Sequence, residues 1–191
     1  MNGAGNHFYW KASGTFIDYA DYKVPTGSIQ YYSYDIPLHN RRLRNTAGFE
    51  RDGSMTLGYR SHNFHTELKL SDAYSKSGFF ANAHGLEVRL SDIDYDRSRR
   101  DIDLPCQSVN HLRVMSHTVY EQGSLALEAD LAYQNNHRKE LSEPVSHGYM
   151  PVPPGSLERE FKKDTYTANL IARLSLGSRH TLTAGFNSEY Q

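Results

Sequence analysis

The sequence holds a single cysteine, Cys106, among its 191 residues, so no intrachain disulfide framework can staple it. It also lacks an excess of either charge: 21 Lys and Arg face 22 Asp and Glu, a formal net charge of −1. That balance argues against a basic nucleic-acid-binding surface and an acidic disordered tail, and no nucleic acid is expected as a partner. No apolar run approaches the ~18 residues of a spanning helix. The first residues, Met1 to His7, carry neither the basic segment nor the apolar segment of a signal peptide. With 38% hydrophobic residues, the mean hydropathy is −0.69. These figures do not exclude a membrane β-barrel, whose strands need apolar residues only at alternate positions.

What the sequence has in quantity is tyrosine and glycine, 14 of each. Helical periodicity is weak, whereas period-two alternation recurs along the chain. The clearest run is Leu125 to Tyr133, with Leu125, Leu127, Ala129, Leu131 and Tyr133 on one face and Ala126, Glu128, Asp130 and Ala132 on the other. From Tyr166 to Leu176, Ala168, Leu170, Ala172 and Leu174 likewise oppose Thr167, Asn169, Ile171, Arg173 and Ser175. Similar patterns run through 8–16, 54–60, 64–70, 111–120 and 181–189, which makes seven expected strands.

The connections alternate in length. Residues 61–63, 121–123 and 177–179 form tight turns, whereas 18–44, 71–109 and 134–164 are long. Ordinary loops have a median of about 4–6 residues, so three long ones in strict alternation carry information. In an up-and-down sheet they all fall on one edge. Short periplasmic turns opposite long extracellular loops are the signature of an outer-membrane barrel, with strands apolar toward lipid and polar toward the lumen. Tyr59, Tyr120, Tyr133, Tyr166 and Tyr190 are expected near strand ends, where an interfacial aromatic girdle sits. The expected fold is therefore all-β, an antiparallel up-and-down transmembrane β-barrel segment. Seven strands do not close an even-numbered barrel, and residues 1–191 are expected to be a part of a larger one.

Three stretches support a family resemblance. Asp21-Tyr22-Lys23-Val24-Pro25 resembles the segment after an early barrel strand in TonB-dependent outer-membrane receptors. Leu43-Arg44-Asn45-Thr46-Ala47-Gly48-Phe49-Glu50, followed by Gly53 to Arg60, is similar to that family's LPNTGFE and GSLGLGYR stretch. Gly78-Phe79-Phe80-Ala81-Asn82-Ala83-His84-Gly85 is similar to its GIPGHAHG loop, with Phe80-Ala81-Asn82 standing where the family has Pro-Gly-His. The three occur in the family's order over residues 21–85; beyond them the likeness is one of architecture. The resemblance implies a barrel of about 22 strands around a plug, at the bacterial outer membrane, importing a scarce nutrient with energy delivered by TonB. An iron chelate, haem or a similar metal complex is the implied cargo. The plug that meets TonB would lie outside this chain, and the chain's own partners would be outer-membrane lipid and the cargo.

Candidate chemistry is sparse. The ten histidines form no H-x-x-x-H helix pair and no Cys-His cluster. His62 and His65 flank a tight turn, and His111 and His117 share a polar face six residues apart, so lumen-lining histidines are the simpler reading. No metal site and no cofactor is expected. Ligand contact is assigned to the extracellular-loop residues Phe79, Phe80, Asn82 and His84, which combine aromatic surface with one imidazole. Asp92, Asp94, Asp96 and Asp103 have part of a calcium-loop spacing, but Arg97 stands at its glycine position. No G-x-S-x-G elbow occurs, Cys106 has no cationic sequence neighbour, and the chain is not expected to be an enzyme. The rival readings are a soluble secreted β-sandwich that recognises glycans through Tyr-rich loops, and a complete small barrel of outer-membrane lipase type.

Overall fold

The computed structural model describes residues 1–31, 34–80, 98–144, 146 and 149–191. Among the described residues ten strands form, in order β1 (Asn2–Ala4), β2 (Phe8–Tyr19), β3 (Ser28–Tyr31), β4 (Tyr34–Pro37), β5 (Gly48–Arg60), β6 (Phe64–Gly78), β7 (Cys106–Gln122), β8 (Leu125–Leu141), β9 (Leu157–Leu176) and β10 (His180–Tyr190). Eight of them make one antiparallel sheet in the order β1-β2-β5-β6-β7-β8-β9-β10, and β3 and β4 form a separate hairpin. The sheet is not closed, and β1 and β10 are its edges.

The seven alternating segments all lie in this sheet. The eighth strand, β1, was not expected: Asn2-Gly3-Ala4 is too short and too small-sided to alternate, and pairing with Tyr9 to Lys11 is what extends it. Several strands also outrun their apolar alternation. β8 reaches Leu141 and β9 begins at Leu157, so the connection expected over 134–164 contracts to 142–156. In these extensions polar pairs replace apolar alternation. His137 Nε2 lies 2.6 Å from Glu160, Lys139 3.6 Å from the same carboxylate, and Arg159 3.6 Å from Glu140. Hydropathy cannot register such a ladder, because its side chains are charged on both faces.

Register assigns every side chain to a face. Cross-strand partners share a side, so Trp10, Leu57, Leu68 and Ser116 stand in one row, and Val114, Tyr133, Tyr166 and Tyr190 in another. That side is apolar: Phe8 to Phe16, Met55 to Tyr59, Phe64 to Leu70, Leu112 to Tyr120, Leu125 to Tyr133, Tyr166 to Leu174 and Leu182 to Phe186 contribute to it at alternate positions. Its side chains are open to the surroundings, with Leu131 51%, Leu182 59% and Phe186 57% exposed. The hydroxyls of Thr66 and Thr118, which fall within it, hydrogen-bond each other at 2.8 Å.

Aromatic rings edge this apolar band. Tyr59 packs at a tilt against Phe8 at 4.9 Å and Phe64 at 6.2 Å, next to the tight turns. Tyr133, Tyr166 and Tyr190 contact one another in sequence at 5.0 and 6.4 Å on the opposite margin. Tyr133 and Tyr166 lie inside long strands and mark the end of the apolar band instead of the strand end expected for them. Beyond them the same side turns polar, with Asn135, His137 and Lys139 on β8.

Buried residues gather at the edge that carries the long connections. Ile36 and Leu38 form a small core, packed by Val24, Ile29, Leu43 and Phe80. Ala47, Cys106 and the polar Asp21, Asn45, Glu140 and Ser142 are buried at the same edge.

Candidate functional site

Two arrangements stand out: a hydrogen-bonded platform beneath the long connections, and a polar row across the face opposite the apolar band.

The platform is organised by Asp21 and Asn45. Asp21 Oδ1 accepts hydrogen bonds from the backbone N–H groups of Thr46 (2.8 Å) and Ala47 (3.0 Å). Its own N–H donates to Arg99 O, and its carbonyl accepts from Arg42 at 2.6 Å. Asn45 adopts φ 59°, a left-handed conformation that Asn tolerates better than most residues. Its amide donates to the carbonyls of Phe79 (3.0 Å) and Pro105 (2.9 Å), and its Oδ1 accepts from the Asp103 N–H (2.8 Å). Arg44 pairs with Asp103 at 3.3 Å. Segments 21–24, 42–47, 78–80 and 99–105 are thereby joined through two side chains. Gly78 allows the close approach: a Cβ there would lie 2.5 Å from Asn45 O.

The platform includes two of the four ligand residues expected from the sequence. Phe79 is half-buried and donates its N–H to Pro105 O at 2.9 Å. Phe80 packs against the Ile36–Leu38 core. Asn82 and His84 lie outside the described residues, as do Asp92, Asp94 and Asp96 of the calcium-like spacing. Asp103 is engaged by Arg44 through its carboxylate and by Asn45 Oδ1 through its backbone N–H. Cys106, opposite Gly78, is buried, and burial pushes its thiol pKa up, away from the reactive thiolate. Burial likewise raises the pKa of Tyr19 at the platform end of β2.

The polar row follows directly from register. Tyr9, Gly58, Glu67, His117, Asp130, Asn169 and Asn187 are successive cross-strand partners on β2, β5, β6, β7, β8, β9 and β10. Tyr9 donates its hydroxyl to Glu67 at 2.5 Å and lies 2.7 Å from His65 Nε2. Lys69 pairs with Glu67 at 2.8 Å. His117 Nδ1 is 2.6 Å from Asp130 Oδ1, and Arg173 is 3.5 Å from Glu128. His111, six residues before His117 on β7, meets Gln134 at 3.3 Å. The side of Glu128, Asp130, Asn169 and Arg173 expected from alternation is therefore the observed one. Their grouping with His117, Glu67 and Tyr9 is not visible in the sequence, since those residues come from other strands.

In comparisons with known proteins, no family model matches the chain, and neither a curated protein nor a solved structure matches it.

Proposed function

We propose that this chain is an arc of an outer-membrane β-barrel, of the TonB-dependent receptor type that residues 21–85 resemble. Its apolar side faces lipid, and its polar row faces a lumen through which a small nutrient, an iron chelate or similar metal complex, is taken up. The observation that carries this reading is the exposed apolar band with aromatic margins. On β7, β8 and β9 it runs from Leu112 to Tyr120, Leu125 to Tyr133 and Tyr166 to Leu174, close to the ~9–11 residues a tilted strand needs to cross the hydrocarbon. A soluble sheet would have to cover so large an apolar surface. The strand extensions beyond the band carry charge and raise the platform clear of the bilayer. In that position the platform carries Phe79 and Phe80 on the outer side, and cargo contact by Phe79, Phe80, Asn82 and His84 is part of this proposal. Lipid tolerates no open sheet edge, so on this reading β1 and β10 meet strands outside this sheet.

Trp10, the single tryptophan, stands on the apolar side and supplies the test. The purified chain is expected to need detergent, and after transfer to phosphatidylcholine vesicles Trp10 fluorescence is quenched by brominated acyl chains. A monodisperse soluble chain whose Trp10 is untouched by brominated lipid overturns the reading.

A further inference from the structure

We propose that His117, Glu128 and Asp130 form a binding site for an exchangeable divalent transition-metal ion such as Zn²⁺ on the polar side of the sheet. One ligand atom from each residue can be chosen so that all three lie within 4.8 Å of one another, and all three side chains are half-buried. The sheet fixes this arrangement. His117 and Asp130 are direct cross-strand partners, and Glu128 points to the same side of β8 two residues away. In a tetrahedral site with bonds of about 2.1 Å, ligand atoms lie roughly 3.4 Å apart, so rotamer adjustments suffice to close the set. One imidazole and two carboxylates match the hard-to-borderline donor preference of Zn²⁺.

The surroundings favour an ion that comes and goes. Three protein ligands leave a fourth position for water, the pattern of open sites as opposed to sealed structural ones. A further imidazole, His65, has its ring 6.2 Å from that of His117 and is occupied by the Tyr9 hydroxyl. Glu67, directly opposite His117, is taken by Tyr9 and Lys69. Binding asks for two rearrangements. The hydrogen bond between His117 Nδ1 and Asp130 Oδ1 opens, so that imidazole and carboxylate can each turn a lone pair to the ion. Arg173 releases Glu128, a weak exposed pair to break. The site stands on the sheet register alone, independent of whether the opposite side faces lipid.

The test is calorimetric titration of the full chain with Zn²⁺, in detergent or in buffer according to how the chain is kept folded. Wild type is expected to bind with a stoichiometry of one at this site. H117A, E128Q and D130N each weaken that site at least about tenfold, whereas H111A, on the same face of β7, leaves it unchanged. R173M is expected to tighten binding about two- to fivefold, because it removes the competitor for Glu128. Strand content by circular dichroism shows that each variant has folded, and H117Q serves if H117A does not. Absence of saturable binding to wild type, or binding that survives both D130N and the His117 substitution, overturns the site. Trp10 quenching reads the membrane proposal separately, so failure of either leaves the other standing or falling on its own result.

Discussion

The ring of Tyr9 lies across Gly58, its direct partner on β5, and so reaches the next strand, where its hydroxyl bonds Glu67 at 2.5 Å. A Cβ on Gly58 would fall within the volume of that ring. Two other aromatic residues cover a directly opposed glycine in the same way, Trp10 over Gly3 and Tyr19 over Gly48. Glycine inside a strand weakens it unless a neighbour fills the vacant space, and a cross-strand ring does so. Here it also joins three strands through one side chain.

Gly58→Ala is expected to drive the Tyr9 ring off β5 and to destabilise the sheet by ~1–3 kcal/mol, the usual cost of overpacking. Tyr9→Phe keeps the ring and loses the hydroxyl bonds, at about 1 kcal/mol. Urea midpoints measure both. In the Tyr9→Ala background Gly58→Ala should cost much less, since the steric conflict has gone.

Asp21→Ala leaves the N–H groups of Thr46 and Ala47 without their acceptor, at ~1–3 kcal/mol for the buried Ala47 donor and less for the half-buried Thr46 one. Amide exchange at Thr46 and Ala47 should accelerate strongly, while Ala129 in the middle of β8 keeps its protection. Asn45→Gly separates geometry from bonding. Glycine accepts the positive φ but supplies no side chain, so it should loosen the platform nearly as much as Asn45→Ala.

Leu131 and Ala132 are neighbours on opposite sides of β8. If the apolar side meets lipid, Leu131→Arg in vesicles costs ~2–4 kcal/mol near the midplane, and Ala132→Arg costs far less. Urea unfolding from vesicles measures the pair. Equal costs would place lipid on neither side.

Glu160 lies beyond the apolar band, where hydrogen bonding to His137 holds its carboxyl below the usual range and desolvation opposes this only partly. A depressed folded pKa adds stability that is present above the unfolded carboxylate value and is lost as pH falls through the folded one. Wild type and Glu160→Gln should therefore unfold alike in strong acid and diverge as pH rises from the depressed folded pKa to the ordinary glutamate value, above which wild type keeps its full advantage. The difference is small because the pair is exposed. Curves that remain parallel throughout would show that the pair contributes nothing.

Much of the fold is legible in alternation. Leu125 to Tyr133 and Tyr166 to Leu176 declare their two faces because side chains on a strand point to opposite sides with period two. The tight turns at 61–63 and 177–179 follow from the gaps between such runs. The platform is less legible: Asn45 and Asp21 are ordinary polar residues until residues 25 to 60 positions away present unpaired backbone groups to them. Asp21, Asn45 and Gly78 each fall in one of the three stretches that carry the family resemblance, but nothing in those stretches announces the bonds between them.

The amino-acid sequence by itself determines that this chain is antiparallel β, which side of each strand is apolar, and which edge of the sheet carries its long connections. These are local properties, set by neighbours one or two residues apart. Only the tertiary structure decides that Tyr9 covers Gly58, that Asn45 ties Phe79 to Pro105, and that His117 meets Glu128 and Asp130. Each of those depends on strand register, which is fixed by pairing between residues distant in the chain and so leaves no mark at any one position.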